Sequence, residues 1–388
     1  MADPSPASAP AVAAVMGNKL KLLASGRERL EALLELIGGA RHSLRLLYYI
    51  FKDDEAGHRI RDALVAASER GVKVSMLVDG FGCEDVGPAF FRPLLDAGCR
   101  FCRFEPRWGR RYFLRNHQKL ALADADVAIT GGFNISDDYF DDAAGAWRDL
   151  GLRIEGPSVQ CLASYFDDLF RWSTRKNARL RELRRMLNLH SERDGALRWL
   201  FGGPTRRLSP WAQVVKKDMM KAGRVDLIAA YFAPSRAMLR RIFSAAGRGK
   251  ARVVTAAKSD NGATVGAARH TYSRMLRRGV EVYEYQPTKL HTKLIVVDDV
   301  VHIGSANFDM RSLYLNLEIM VRIEDAAFAR EARRYVEDEI RDSRHITKEV
   351  LREESNWFTR LKWALAHFVV ATMDYNVSRR LNFGIDGQ

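Results

Sequence analysis

The chain of 388 residues is long enough for two domains with complete cores, and its content of 47% hydrophobic and 28% charged residues is typical of a globular protein. The net charge of +14 predicts an anionic partner, either nucleic acid or an acidic membrane surface. The four cysteines do not form two CxxC pairs, which argues against a zinc site, and Cys99 and Cys102 are expected to be buried free thiols.

Residues 1–18 are rich in alanine and proline and nearly uncharged, and they lack the basic start and apolar core of a signal peptide. We predict a disordered leader for them. The chain contains no uninterrupted apolar run of about 18 residues or more, so no membrane-spanning helix is expected. The sequence therefore predicts a soluble or peripheral membrane protein.

Predicted strands and helices alternate in the same order in both halves of the chain. The first half has predicted strands at 43–51, 72–78 and 98–104, with a helix at 60–70. The second half has predicted strands at 225–232, 251–256 and 279–285, with a helix at 236–246. Strands that alternate with helices indicate βαβ units, so we predict an α/β fold of two tandem lobes with mainly parallel sheets.

A motif follows these elements in each half. His117-Gln-Lys119-Leu-Ala-Leu-Ala-Asp124 returns as His291-Thr-Lys293-Leu-Ile-Val-Val-Asp298. Each copy precedes a small-residue turn, Gly131-Gly132-Phe133-Asn134 or Gly304-Ser305-Ala306-Asn307. One copy could arise by chance, but two matched copies indicate function. Two imidazoles and two ammoniums in equivalent settings suit cleavage of a phosphodiester between two histidines.

The spacing of two places each histidine and its lysine on one face of a strand, where both can meet the same phosphate. One imidazole can attack phosphorus and the other can act as general acid and base. Lys119 and Lys293 would hold the non-bridging oxygens, with hydrogen bonds added by the turn residues Asn134, Ser305 and Asn307. This scheme needs no metal or other cofactor, and no carboxylate cluster in the sequence suggests a magnesium site.

Four acidic residues at matching positions complete the candidate site. Asp149 and Glu318 are predicted to orient histidines through the second ring nitrogen, Asp149 acting on His117 and Glu318 on His291. The alternative is that both are surface charges at the start of a strand. Asp124 and Asp298 complete the catalytic motif either by pairing with a nearby lysine or by capping the following turn, and we favour the structural role.

The duplicated His-x-Lys-x4-Asp motif resembles that of the phospholipase D superfamily, and within it the chain is most similar to the bacterial cardiolipin synthases. The likeness covers about residues 40–175 and 220–345 and includes Arg115-Asn-His-Gln-Lys119 and Gly304-Ser-Ala-Asn-Phe-Asp-Met-Arg-Ser312. It implies two lobes related by a pseudo-twofold axis, with one active site at their interface. It also implies phosphatidyl transfer through a phosphohistidine, with His117 as nucleophile and His291 as acid and base. The second copy is one residue shorter before Gly304, which predicts a tighter phosphate-binding turn there.

The predicted boundaries follow from the two repeats. They are a leader at 1–18, lobe 1 at 19–175, a charged helical connector at 176–219, lobe 2 at 220–345 and a helical tail at 346–388. The basic and aromatic insert at 107–115 is predicted to contact substrate rather than to be a solvated loop. The segment 357–373 is apolar but broken by cations, so the tail is predicted either to lie at a membrane interface or to pack on lobe 2.

These features predict a peripheral cardiolipin synthase at the cytoplasmic face of the bacterial inner membrane. Its expected substrate is the anionic lipid phosphatidylglycerol, joined to a second phosphatidylglycerol or to phosphatidylethanolamine. A phospholipase D that hydrolyses phospholipid is the first alternative, and a metal-independent nuclease of the same superfamily is the second. No nucleic-acid partner is expected, because small nucleases of this kind tend to carry one motif.

Overall fold

The computed structural model describes residues 12–105, 114–143, 145–205 and 207–373. The strands of the first half are β1 (Ala13–Val15), β2 (Asn18–Leu23), β3 (Ser43–Tyr48), β4 (Lys73–Asp79), β5 (Arg100–Phe104), β6 (Leu120–Ala123), β7 (Val127–Gly131), β8 (Trp147–Arg148) and β9 (Gly151–Glu155). Those of the second half are β10 (Leu197–Gly202), β11 (Arg224–Ala229), β12 (Phe232–Ala233), β13 (Lys250–Ala256), β14 (Glu281–Tyr285), β15 (Lys289–Leu290), β16 (Lys293–Val297), β17 (Val300–Gly304), β18 (Phe308–Asp309), β19 (Glu318–Glu324) and β20 (Ser343–Ile346).

The helices cover both sheets and form the C-terminal part of the described chain. They are α1 (Gly26–Gly39), α2 (Glu55–Glu69), α3 (Pro88–Asp96), α4 (Asp137–Phe140), α5 (Cys161–Thr174), α6 (Leu180–His190), α7 (Pro210–Asp218), α8 (Arg236–Arg248), α9 (Gly262–Arg277), α10 (Met310–Tyr314), α11 (Ala326–Arg341), α12 (Lys348–Glu354) and α13 (Trp357–Phe368). A 3-10 helix spans Pro157–Val159, and a π-helical turn at Val369–Met373 continues α13.

Each half of the chain forms one eight-stranded sheet. The strand orders are β1-β2-β9-β7-β6-β3-β4-β5 and β10-β19-β17-β16-β11-β13-β14-β20. From β2 and from β10 onward the two orders correspond strand by strand, which confirms the duplicated two-lobed α/β fold.

The sheets are mixed rather than mainly parallel, which corrects the prediction. Parallel pairing within them joins β3, β4 and β5, and likewise β11, β13 and β14, whereas the other described neighbours are antiparallel. The strand of each motif is joined to the next strand by a short turn instead of a helix, β6 to β7 and β16 to β17. A short turn can join two neighbouring strands only if they are antiparallel. The pattern of alternating strands and helices precedes the motifs, so it gave no information on the direction of the strands after them.

The two lobes share one apolar core. Residues from both sheets pack together with α5 and α11, so these two helices lie between the sheets. Helices α1, α2 and α3 cover the outer face of the first sheet, and α7, α8 and α9 cover that of the second. Strand β6 shows how the alternation works: Leu120 and Leu122 face the middle layer, while Ala121 and Ala123 face outward. Cys99 is a buried free thiol, and Cys102 is free and half-buried.

Several predicted boundaries move in the structure. Residues 13–15 and 18–23 form a β-hairpin on the first sheet rather than the end of a disordered leader, since Leu20 and Leu22 supply an apolar face to the core. The leader residues 1–11 lie outside the described residues, as do residues 107–113 of the predicted insert. The connector 176–219 contains β10, an edge strand of the second sheet, in addition to its helices. Strand β20 extends the same sheet at its other edge.

Helix α13 packs on α9, as one of the two interpretations of the tail predicts. Trp363 and Ala366 approach Gly266, where a Cβ would lie 3.1 Å from that of Ala366. The side chains of His270 and His367 stack with ring centroids 4.7 Å apart. None of the helices in the described ranges combines the length and apolarity that crossing a bilayer requires.

Candidate active site

The two motifs meet where the lobes exchange backbone hydrogen bonds. The amide of His117 donates to the carbonyl of Leu317 at 3.0 Å, and the amide of Leu317 donates to that of Arg115 at 2.9 Å. In the same way the amide of His291 donates to the carbonyl of Arg148 at 2.7 Å, and β15 pairs with β8. The first residue of each motif is therefore hydrogen-bonded to the backbone of the opposite lobe, and both motifs lie at the interface between the lobes.

His117 is oriented by a carboxylate of the second lobe. Its Nδ1–H donates to Glu318, with distances of 3.1 Å and 3.2 Å to the two carboxylate oxygens. Glu318 is fully buried and also accepts the hydroxyl of Ser312 at 2.7 Å and that of Ser305. The two hydroxyls satisfy the hydrogen-bonding needs of Glu318 as a buried carboxylate. Because Glu318 accepts the hydrogen bond from Nδ1–H of His117, it fixes the tautomer in which Nε2 is unprotonated.

His291 is oriented by a carboxylate of the first lobe. Its Nδ1–H donates to Asp149 at 2.6 Å, and the amide of Leu150 donates to the same carboxylate at 2.7 Å. Burial opposes ionisation of Asp149, but Lys293, His291 and Arg29 outweigh it and lower its pKa. Asp149 is thus an anion that holds His291 with its Nε2 free.

The predicted pairing of acids and histidines is wrong: Asp149 contacts His291 and Glu318 contacts His117. Alignment of the repeats identified the two acids, but it could not show whether a contact runs within a lobe or between lobes. The reason for the exchange lies in the backbone. Because His291 bonds to the carbonyl of Arg148, the next side chain along that strand, Asp149, reaches its ring.

The two lysines are fully buried and bend back to their own motifs. Lys119 Nζ donates to the carbonyl of His117 at 2.8 Å, and Lys293 Nζ donates to that of His291. Burial lowers the pKa of Lys293 to about 8 and that of Lys119 well below its ordinary value, while the nearby carboxylates oppose both shifts. An arriving phosphate would stabilise the charged form of both ammoniums.

Burial also lowers the pKa of both histidines. That of His117 falls to about 4 and that of His291 to about 3, because the nearby ammoniums add to desolvation and outweigh the carboxylates. Both imidazoles are therefore neutral near pH 7 before an anion binds. A neutral ring with a free Nε2 can attack phosphorus, and a bound phosphate would raise the pKa of the second ring so that it can carry a proton.

The small-residue turns are arranged differently from the prediction. The Ser305 hydroxyl, expected to bind phosphate, donates to Glu318. The amide oxygen of Asn134 accepts the backbone N–H of Ile50 at 3.2 Å. Asn307 is buried, and its Oδ1 has no hydrogen-bond partner within the described residues. Of these three, Ser305 acts on His117 through Glu318, whereas phosphate contact by the two asparagines stays a prediction.

Gly132 occupies the position that corresponds to Ser305, and its lack of a side chain makes room for Asp149. A Cβ at Gly132 would lie 2.4 Å from Asp149 Oδ1. We expect Gly132→Ala to displace the carboxylate from His291 and to lower kcat by about 100-fold, in the range seen when a catalytic group is displaced by about 1 Å. Steady-state kinetics would measure this. Gly38→Ala, where no heavy atom lies within 4 Å of the added Cβ, is the comparison; equal kinetics of wild type and Gly132→Ala would contradict the steric argument.

Asp124 and Asp298 lie at the far end of their strands from the histidines. Five residues at about 3.3 Å each place Asp124 roughly 16 Å along the strand from Lys119. Its carboxylate accepts the amides of Arg41, His42 and Ser43 at 2.8, 2.8 and 2.7 Å. Asp298 likewise accepts the amides of residues 223 and 224. Their assignment to the catalytic set is therefore wrong, and the favoured structural role is the one the contacts support.

The residue missing from the second copy also lies at this far end. Both β7 and β17 have five residues, and the difference is in the preceding turn, which is 124–126 in one lobe and 298–299 in the other. The expected tightening of the phosphate-binding turn is therefore wrong. Asp124 and Asp298 have φ angles of 53° and 46°, a conformation that aspartate tolerates in such turns.

We expect Asp124→Ala to lower stability while leaving catalysis intact. Loss of a side-chain cap on backbone amides costs about 1 kcal/mol of the free energy of unfolding, which corresponds to a fall of a few degrees in Tm. Thermal unfolding and kcat, measured together, test this. Asp126→Ala in the same turn is the control, and a loss of kcat without a loss of Tm would restore a catalytic role to Asp124.

The buried histidines make stability depend on pH. In the unfolded chain they take up protons near pH 6.5, but in the folded chain only at about 4 and 3, so the unfolded state binds more protons between these values. The free energy of unfolding should thus fall by about 2 kcal/mol per histidine from about pH 7 to about pH 5. Urea unfolding of His117→Asn should show a shallower fall than the wild type. His42→Asn, at an exposed position, should not.

Sequence reasoning missed Arg29 and the aromatic residues around the histidines. Arg29 on α1 is 1% exposed and donates to the backbone carbonyl of Asp149 at 2.6 Å, which fixes the strand that carries this acid. An arginine on the apolar face of α1, in line with Leu33 and Leu36, was the available signal. The ring centroids of Tyr49 and His117 are 5.0 Å apart, and those of Trp147 and His291 are 5.2 Å apart.

Comparison with known proteins identifies the family of the chain. The family model described as cardiolipin synthase, PLD-like domain, matches residues 33–170 and 215–340. The chain belongs to this family. Cardiolipin synthase 2 of Bacillus anthracis is 30% identical over 84% of this chain and 65% of its own length. Cardiolipin synthase A of Pseudomonas aeruginosa is 29% identical over 86% and 69%. The chain thus spans about two thirds of these relatives.

Solved structures share the fold of this cardiolipin synthase-like chain. Phosphatidylserine synthase of Haemophilus influenzae superposes with a TM-score of 0.74 at 16% identity, covering 93% of this chain and 95% of that one. Polyphosphate kinase of Porphyromonas gingivalis gives 0.56 at 17% identity, covering 86% and 49%. The family is one of enzymes, and this chain is a phosphatidyltransferase homologue of the phospholipase D superfamily.

Proposed function

We propose that this protein makes cardiolipin from phosphatidylglycerol through a phosphohistidine. The observation that carries the proposal is the exchanged arrangement of the site, in which each histidine is held at Nδ1 by a carboxylate of the other lobe. Membership of the cardiolipin synthase family supports the choice of lipid. With both Nε2 atoms free and both lysines beside them, the site suits an anionic phosphodiester.

In the first half-reaction, His117 Nε2 attacks the phosphorus of one phosphatidylglycerol. A P–N bond forms, the P–O bond to glycerol breaks, and His291 gives its proton to the departing alkoxide. Lys119 and Lys293 balance the charge on the non-bridging oxygens. The anionic substrate itself raises the pKa of His291, which burial keeps low in the free protein, and so supplies the condition for that proton to be present.

In the second half-reaction, His291 removes a proton from a hydroxyl of the second lipid. The hydroxyl oxygen attacks the phosphohistidine, the P–N bond breaks, and cardiolipin and free His117 result. The lipid that supplies this hydroxyl is phosphatidylglycerol. Phosphatidylethanolamine has no free hydroxyl, so it would enter as the donor of the first half-reaction, with ethanolamine leaving in place of glycerol. Water in place of the lipid hydroxyl would give phosphatidic acid, which is the hydrolytic alternative of a phospholipase D.

The proposed place of action is the cytoplasmic face of the bacterial inner membrane, reached as a peripheral protein. The net charge of +14 favours an anionic leaflet over a neutral one. The face of α13 that points away from α9 is apolar and exposed, which suits an interfacial position.

Phosphatidylglycerol vesicles test the proposal. Purified protein should release glycerol and form cardiolipin, identified by mass spectrometry, with equal rates in the presence of a chelator. His117→Asn is the inactive control. Phosphatidic acid as the main product would favour hydrolysis. Inert lipid together with salt-sensitive cleavage of DNA would favour the nuclease alternative, and no product from phosphatidylglycerol, alone or with phosphatidylethanolamine, would overturn the proposal.

A further inference from the structure

Helices α8 and α9 carry an unusual distribution of charge. Neither contains an aspartate or a glutamate, although both are rich in arginine. The half-buried Arg269 of α9 is paired with Glu284 at 2.8 Å, and elsewhere in lobe 2 the buried Arg322 is paired with Asp218 at 2.8 Å. The outer faces of α8 and α9 therefore present positive charge that the fold does not neutralise.

These side chains line a groove between the two helices. It consists of two adjoining cavities of about 500 Å³ and about 490 Å³ that share Arg236, Arg274 and Arg277. We call this feature the arginine groove; its exposed cations are Arg236, Arg240, Arg274, Arg277 and Arg278. No carboxylate lines either cavity, and within the described ranges none of the five arginines forms an ion pair.

The lining of the groove fits a phosphate group better than a neutral ligand. Guanidinium groups present paired donors that match phosphate oxygens, and several of them around one cavity concentrate an anion. Arg277 is held by a hydrogen bond from Nη1 to Ser273 Oγ at 2.8 Å, and Arg274 lies 5.7 Å from the ring centre of Phe243. These contacts orient the groups without neutralising them.

An exposed apolar ridge lies next to the groove. His367 of α13 and Ala371, in the turn that follows it, line one of the cavities, so the end of this helix borders the arginines. On its free face, Trp357, Leu361 and Leu365 are 65%, 59% and 61% exposed, and Phe358 and Phe368 continue the same face. Apolar side chains of this size beside unpaired cations are typical of a surface that enters the headgroup region of a bilayer.

We propose that the arginine groove binds the phosphate headgroup of an anionic phospholipid, while the ridge of α13 inserts beside it. The occupant is a lipid leaflet and not the lipid that reacts, because the groove contains none of the catalytic histidines or lysines. One cavity reaches Met310, three residues along the chain from Asn307, so the groove adjoins the segment that carries one turn of the active site. The inference rests on the proposal that this chain acts on membrane phospholipid.

Removal of charge from the groove tests the inference. The variant Arg236→Gln/Arg240→Gln/Arg277→Gln should bind vesicles of phosphatidylcholine with phosphatidylglycerol roughly 100-fold more weakly than the wild type in co-sedimentation, because each basic side chain near an anionic leaflet contributes about fivefold. The matched control removes three exposed cations of lobe 1, Arg41→Gln/Arg59→Gln/Lys73→Gln. It should lose far less. Equal losses in the two variants would show only non-specific attraction and would overturn the proposal.

A second measurement follows the ridge. Fluorescence of Trp357 should shift to shorter wavelength when phosphatidylglycerol vesicles are added, and the difference between wild type and Trp357→Phe isolates its signal. Leu361→Ser/Leu365→Ser should remove the shift and weaken binding, and because both positions are exposed the fold should be retained, which thermal unfolding checks. An unchanged Trp357 spectrum in vesicle-bound wild type would overturn insertion.

Turnover of a short-chain phosphatidylglycerol, kept below its micelle concentration, separates this inference from the proposed function. The groove variant should process this dissolved lipid within about twofold of the wild type, since a docking surface adds binding energy only at a membrane. Wild type that binds vesicles through the groove but never turns over lipid would refute the function and leave the docking surface standing. A groove variant that loses binding to DNA while keeping vesicle binding would refute the docking surface.

Discussion

The variant His291→Asn is expected to stop after forming the phosphohistidine when the leaving group needs no proton. On phosphatidylglycerol, loss of the general acid and base should lower kcat by about 10⁴-fold. On a phosphatidyl ester of p-nitrophenol the departing phenolate is stable, so His117 can still attack. A burst of about one p-nitrophenol per protein should then appear, and the phosphorylated protein should accumulate because no base activates the second lipid.

His117→Asn is the matched control, since it lacks the proposed nucleophile but keeps His291. It should give neither a burst nor covalent phosphate on either substrate. Acid quenching followed by mass spectrometry of the peptide that contains residue 117 or 291 locates the phosphate. A burst in His117→Asn and none in His291→Asn would reverse the two roles. Bursts in both variants would contradict a division of labour between them.

The second large effect concerns the exchanged carboxylates. Glu318→Gln should impair His117 and therefore abolish the burst, whereas Asp149→Asn should impair His291 and preserve the burst while blocking transfer. Each change should lower kcat on phosphatidylglycerol by up to about 10⁴-fold, because an amide favours the wrong tautomer of the histidine it contacts. Stopped-flow release of p-nitrophenol distinguishes the two variants.

Double substitutions sharpen this test. If Glu318 acts through His117, the pair Glu318→Gln/His117→Asn should be no slower than His117→Asn alone, since the interaction is already lost. The corresponding pair for the other half of the site is Asp149→Asn/His291→Asn. Loss of the burst in Asp149→Asn, with a normal burst in Glu318→Gln, would mean that the contacts seen between the lobes do not govern the reaction.

Local sequence pattern was sufficient to predict the repeat and most of its strands. The alternation of Leu120 and Leu122 with two alanines, and the βαβ order before it, depend on neighbours in the chain. The features that the local pattern could not predict depend on contacts between residues far apart in the sequence. Strand direction after the motif is set by a short turn, and the partner of Asp149 is set by backbone bonds to the other lobe.

The aspartates of the motif show the same limit. An aspartate accompanies the histidine and the lysine in both copies of the motif, which suggests a common task. Asp124 nevertheless bonds to the amides of Arg41, His42 and Ser43 and so holds a turn at the opposite end of the strand from His117. Recurrence in a repeat identifies a residue that the repeated fold requires. Only the three-dimensional position separates a requirement of folding from one of chemistry.

The exchange of carboxylates has a consequence for how the two halves can change over evolutionary time. Neither half contains a self-sufficient histidine and acid, so a half expressed in isolation would carry an imidazole without its anion. Gly132 and Asp149 must stay compatible with His291, just as Ser305 and Glu318 must with His117. After duplication, each half could therefore change its acid only in step with the histidine of the other half. Covariation in this lineage should link position 149 with the second half and position 318 with the first.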